Sequence, residues 1–124
     1  MSDNIRILLV DDYAPVRAGL AEILGHEPQM DIVGQAADGR TAVELARRLH
    51  PDVVIMDVRM PLMNGIEATR MIAEEHPEIK VIGFTMQSEG NLCAAMCKAG
   101  AAACINKSSP IESLITAIRD CCPS

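Results

Sequence analysis

Apolar residues fall into two kinds of pattern along the chain. Ile5 to Val10, interrupted only by Arg6, ends in Asp11-Asp12, and Val53 to Met56 ends in Asp57. Short runs of this kind, apolar on both faces, predict strands buried in the middle of a sheet. Val81 to Phe84, ending in Thr85, and Ala101 to Asn106, ending in Lys107, predict two more. The mixed pattern from Met30 to Ala36 predicts a strand nearer an edge. Between the runs, apolar residues recur at helical spacing: Val16, Leu20, Ile23 and Leu24, then Ala42, Leu45, Ala46 and Leu49. The same spacing returns at Ala68, Met71 and Ile72, at Leu92, Ala95, Met96 and Ala99, and at Ile111, Leu114, Ile115 and Ile118. Side chains three and four apart share one helix face, so each segment predicts an amphipathic helix. Gly25, Gly100 and the pairs His50-Pro51 and His76-Pro77 mark helix ends. For the last helix the spacing predicts Ser109 as N-cap, Pro110 as first helical residue and Glu112 completing a capping box.

Strand and helix alternate throughout with short connections, which predicts a parallel sheet covered on both faces: a doubly wound α/β domain with five strands and five helices. The doubly wound order 2-1-3-4-5 would set the first and third strands side by side, with a ligand crevice outside their carboxyl ends. At 124 residues the chain has room for one core, so residues 1–124 are expected to form a single domain.

Composition removes several classes of function. One Tyr, one Phe and no Trp leave no aromatic platforms for stacking bases. A formal charge of -6 would repel a phosphate backbone, so this chain is not expected to bind DNA directly. No apolar run approaches membrane-spanning length, and the start Met1-Ser2-Asp3-Asn4 lacks a basic region followed by an apolar one. A cytoplasmic protein without membrane contact is the expectation. Cys93, Cys97, Cys104, Cys121 and Cys122 are odd in number and include no Cys-x-x-Cys pair, so they are expected to be reduced thiols. His26, His50 and His76 sit near prolines at helix ends and read as surface histidines.

Asp11, Asp12, Asp57, Thr85 and Lys107 stand at the carboxyl ends of four different strands, and the doubly wound order gathers them around one crevice. Taken singly, an Asp pair after a strand is a capping turn and Lys107 a solvated lysine; their convergence changes that reading. Three carboxylates in one pocket repel one another, and a hard divalent cation such as Mg2+ relieves the repulsion. A carboxylate can also attack phosphorus to form an aspartyl phosphate, provided cations neutralise the phosphoryl oxygens.

The motifs Leu9-Val10-Asp11-Asp12, Met56-Asp57-Val58-Arg59-Met60-Pro61, Asn64-Gly65, Thr85, and Lys98-Ala99-Gly100-Ala101 leading to Lys107 span the chain in order. With them the sequence resembles the receiver domain of two-component response regulators. The continuation Lys107-Ser108-Ser109-Pro110 is more like receivers joined to LuxR-type helix-turn-helix output domains. The resemblance implies that Asp57 accepts a phosphoryl group from a sensor histidine kinase. It implies that Asp12, Asp57 and the backbone carbonyl of Arg59 bind Mg2+ directly and that Asp11 does so through water. Lys107 would pair with the phosphoryl oxygens, and the Thr85 hydroxyl would swing inward to one of them. The face formed by the fourth helix, fifth strand and fifth helix would carry the change, with homodimerisation on phosphorylation as one outcome. Control of transcription would then act through an output domain absent from this chain, the alternative being a stand-alone receiver that docks on other proteins.

Two positions depart from the family pattern. Cys104 stands where an aromatic residue is usual, so no aromatic flip is available, and Met86 stands where a very small residue is usual and is expected to shield the phosphate from water. Gly65 is expected to serve backbone conformation. Among competing functions, a phosphohydrolase using an aspartyl phosphate would need a second Asp two residues after the first, and Asp11-Asp12-Tyr13 has the wrong spacing. The chain is therefore read as no enzyme beyond its own phosphorylation and dephosphorylation. A degenerate receiver that only docks partners would not be expected to keep all of Asp11, Asp12, Asp57, Thr85 and Lys107.

Overall fold

A computed structural model describes residues 4–58, 60, 63–86 and 90–122. Strands β1 (Ile5–Val10), β2 (Met30–Ala36), β3 (Val53–Met56), β4 (Lys80–Thr85) and β5 (Ala103–Asn106) alternate with helices α1 (Ala14–Gly25), α2 (Gly39–Leu49), α3 (Gly65–Glu75), α4 (Gly90–Ala99) and α5 (Ile111–Cys121). All strand pairs are parallel, in the order β2-β1-β3-β4-β5.

The sheet faces follow from the period of two along each strand. Ile7 and Leu9 of β1, with Val53 and Ile55 of β3, point to the side covered by Leu20 and Leu24 of α1 and Leu114 and Ile118 of α5. Leu8 and Val10, with Val54 and Met56, point to the other side, where α2, α3 and α4 supply Ala46, Ile72 and Met96. Burying side chains such as Ile7, Leu8 and Leu9 completely contributes about 1.5–3 kcal/mol each before entropy is counted. The mixed strand β2 is an edge strand, and its register on β1 shifts between Ile7 and Leu8. The other edge, β5, is half-buried along its whole length.

Three expectations are corrected. β5 begins at Ala103 because the preceding residues finish α4: Gly100 takes φ +121°, and the Ala101 N–H donates to the Met96 carbonyl. The capping box at Ser109 does not form. Asn106 instead holds that segment, its side chain accepting from both the backbone and the hydroxyl of Ser108 and its carbonyl accepting from the Ser109 N–H. Pro110 is the N-cap, with ψ 146°, and its carbonyl accepts from the Ser113 N–H. Finally, the cysteines are not all thiols: Cys93 of α4 and Cys104 of β5 form a disulfide, with Cα atoms 5.6 Å apart. α4 crosses back over β5, a proximity that spacing along the chain does not reveal. Cys97, Cys121 and Cys122 are free.

Candidate functional site

Hydrogen bonds that run past the strand ends bring the polar termini together. The Asp11 N–H donates to Ala36 O (3.1 Å), the Asp57 N–H to Val10 O (2.9 Å) and the Lys107 N–H to Thr85 O (2.8 Å). Because Val10 is level with Met56, Asp11 and Asp57 leave adjacent strands side by side; Thr85 is level with Asn106, the residue before Lys107.

Asp11, Asp57 and Thr85 are buried, and Asp12 is exposed. Carboxylate oxygens of Asp11, Asp12 and Asp57 lie within 4.8 Å of one another. The ammonium of Lys107 is 2.6 Å from Asp11 Oδ2 and 3.4 Å from Asp57 Oδ1. Backbone donors hold the carboxylates in place, Tyr13 N–H on Asp11 Oδ1 at 3.0 Å and Val58 N–H on Asp57 Oδ1 at 2.9 Å.

Burial, and next the charge of Asp11, push the Asp57 carboxyl above the ordinary carboxylate range; Lys107 and the Val58 N–H oppose this without cancelling it. Among the described residues, the one ammonium of Lys107, set against Asp11 and Asp57, leaves the cluster of three carboxylates with an excess of negative charge. An all-oxygen donor set with that excess of negative charge suits a hard divalent cation. Lys107 also lies 5.9 Å from the centre of the Phe84 ring.

The Thr85 hydroxyl donates to the carbonyl of Met86, 3.1 Å away. The Met86 side chain is 66% exposed and lines an apolar groove with Val16, Leu20, Ile23 and Ile111, next to Lys107. Arg59, whose carbonyl was assigned to the metal by resemblance, lies outside the described residues, as does Pro61.

Gly65 serves the backbone, through close approach of two chain segments rather than through a special φ. Its φ is not left-handed, since Gly100 is the only glycine with positive φ among the described residues. A Cβ at Gly65 would collide with the backbone carbonyl of Asp57, so what matters is the missing side chain. The chain turns back there through the Gly65 N–H, which donates to Val58 O at 2.7 Å, and Asn64 caps α3 by accepting from the Glu67 N–H.

Sequence reasoning missed Arg17, one turn into α1, whose Nη1 donates to the Asp11 carbonyl at 2.5 Å while Nε reaches Gln35. Its i+4 position from Tyr13, the α1 N-cap, was the only available signal. It also gave no sign that His50 and His76 meet, which they do edge to face at 5.2 Å, with Glu78 nearby. Both cap helix C-termini, and His50 and His26 are exposed.

A family model described as the response regulator receiver domain matches residues 7–119. The response regulator GacA of Pseudomonas viridiflava is 41% identical over 115 residues, covering 93% of this chain and 54% of that protein. The response regulator UvrY of Escherichia coli is also 41% identical, over 93% of this chain and 53% of its own length. This chain thus spans about half the length of the curated relatives it matches. Among solved structures, the response regulator domain of Thermotoga maritima CheB has TM-score 0.88 and 36% identity, over 95% of this chain and 96% of that one. A LuxR-family two-component response regulator from Aurantimonas has TM-score 0.89 and 36% identity, over 94% and 84%.

Proposed function

Because the chain belongs to the response regulator receiver domain family, we propose that residues 1–124 form one receiver domain of a two-component phosphorelay, in which Asp57 accepts a phosphoryl group from a sensor histidine kinase. The observation that carries this reading is the crevice in which Lys107 spans Asp11 and Asp57 beside Asp12. A carboxylate oxygen of Asp57, held by the Val58 N–H and Lys107, attacks phosphorus in line. The phosphorus–oxygen bond forms as the phosphorus–nitrogen bond to the donor imidazole breaks. Lys107 follows the charge as it moves onto the phosphoryl oxygens, exchanging part of its pairing with Asp11 for them.

Asp11, Asp12 and Asp57 would hold Mg2+, with the Arg59 carbonyl completing the set implied by the resemblance. When bound, Mg2+ supplies further positive charge to the phosphoryl oxygens. Thr85 reports the new group by giving up its hydrogen bond to Met86 O and donating to a phosphoryl oxygen. The apolar groove beside Lys107, floored by Val16, Leu20 and Ile23 of α1, is where a kinase presents its phosphohistidine.

The face of α4, β5 and α5 then changes and pairs with a second copy. Control of transcription passes through an output domain outside these residues, and DNA is bound there rather than by this acidic domain. No described helix is long and apolar enough to cross a membrane. The receiver family to which the chain belongs is what supports a cytoplasmic location. The chain turns over no external product and acts chemically only on its own Asp57.

Incubating the chain with a small phosphodonor and Mg2+, then measuring intact mass, tests this. One phosphoryl group is expected in the wild type and none in Asp57→Ala or without the cation. Equal labelling of Asp57→Ala would place the acceptor elsewhere.

A further inference from the structure

We propose that Cys93 and Cys104 are a reversible thiol–disulfide site that fastens the first turn of α4 to β5 when oxidised and releases it when reduced. The two cysteines come from different elements, 11 residues apart, and their Cα separation of 5.6 Å lets the bond form without backbone movement. Both are half-buried, and β5 is the edge of the sheet, so small reagents have access. Among the described residues no other cysteine is bonded.

The bond joins β5 to the half of α4 that has no fully buried side chain among its described residues. The second half of α4 is docked by the buried Met96 and Ala99, whereas in the first half Leu92 is only partly buried. Gly83 of β4, level with Cys104, keeps the space for the bond: a Cβ there would lie 3.2 Å from Cys104 Sγ and 3.2 Å from Met96 Cε. Cys104 is also three residues before Lys107, so the crosslink bears on the strand that delivers that lysine to the acidic crevice.

The oxidant is a low-molecular-weight disulfide. Cys93 lies in the first turn of α4, the helix end that favours an anion, so its thiolate attacks one sulfur of the reagent and releases one thiolate. The Cys104 thiolate then attacks the Cys93 sulfur of the mixed disulfide and displaces the second thiolate. Two protein thiols have lost two electrons and two protons, and one reagent disulfide has become two thiols. A small dithiol reverses both steps. Formation of the pair does not depend on Asp57; its effect on the α4, β5 and α5 face rests on the function proposed above.

The test equilibrates the full chain with graded ratios of oxidised to reduced glutathione, quenches in acid and alkylates in denaturant. At the oxidising end, three of the five cysteines are expected to be labelled, with the missing two mapped to one Cys93–Cys104 peptide pair. At the reducing end all five are expected to be labelled. Asp57→Asn should give the same titration, which separates failure of this site from failure of the phosphoacceptor reading. Amide exchange in the first turns of α4 should be about tenfold faster in the reduced protein and in Cys93→Ser. Five labelled cysteines under oxidising conditions, a different pairing, or equal α4 exchange in both states would overturn the proposal.

Discussion

Lys107 Nζ lies 2.6 Å from Asp11 Oδ2, a contact across 96 residues that closes the mouth of the sheet between β1 and β5. Both side chains are largely buried, so removing the ammonium leaves Asp11 and Asp57 facing each other uncompensated. Lys107→Met is therefore expected to destabilise the metal-free protein by about 2 kcal/mol, with part of the loss restored by Mg2+. Urea unfolding with and without the cation checks both; an unchanged midpoint without metal would show that the pair contributes nothing.

Asp57 carries a pH signature. Burial and Asp11 raise its folded-state affinity for a proton above that of the unfolded chain. Between the two pKa values the folded state binds more protons, so stability falls as pH rises through that window and stays lower above it. Asp57→Asn is expected to stabilise the metal-free protein at neutral pH, because it removes the raised-pKa carboxylate that burial and Asp11 disfavour. The gain should vanish once acid has protonated the carboxyl in both states. A variant no more stable than wild type at neutral pH would contradict the repulsion.

By the same linkage, acid should weaken Mg2+ binding, since protons compete for Asp57 at a higher pH than for an ordinary carboxylate. Calorimetric titration that gives a flat affinity from neutral pH into the carboxylate range would exclude Asp57 from the cation site.

Gly65→Ala and Gly19→Ala should move in opposite directions. The first forces a methyl group into the Asp57 carbonyl, rigid backbone that cannot step aside, and is expected to cost about 3 kcal/mol. The second adds a methyl inside α1 with nothing within 4 Å and should gain about 0.5–1 kcal/mol. Thermal melts of the two variants decide it.

Thr85→Ala is expected to accept phosphate but not to report it. The hydroxyl is engaged with Met86 O, and under the proposed function its bond to a phosphoryl group would form only in the modified state, the differential contact a switch requires. Self-association measured by sedimentation should rise on phosphorylation in the wild type and stay flat in the variant. Met86→Ala, at the exposed rim, should shorten the life of the aspartyl phosphate by opening the approach of water.

Much of the architecture is written locally. Nearly unbroken apolar runs mark β1 and β3 as central strands, and the mixed pattern marks β2 as an edge, since burial on one or two faces is imposed residue by residue. The polar residues that end those runs, Asp11, Asp57, Thr85 and Lys107, are legible for the same reason: a parallel sheet puts every strand end of one polarity at one rim.

What tertiary structure decides is which of these residues touch. The pairing of Lys107 with Asp11, 96 residues apart, depends on strand order and register, and the reach of Arg17 to Gln35 depends on α1 packing beside β2. Gly65 matters through a collision with a carbonyl eight residues earlier that no periodicity encodes. At Ser109 the local signal for a capping box lost to Asn106, whose side chain and carbonyl had already claimed the turn. Cys93 and Cys104 read as separate thiols on a helix and a strand until the crossover laid one over the other. Local pattern sets how deeply each residue is buried, while contacts between distant residues are fixed only when whole elements pack.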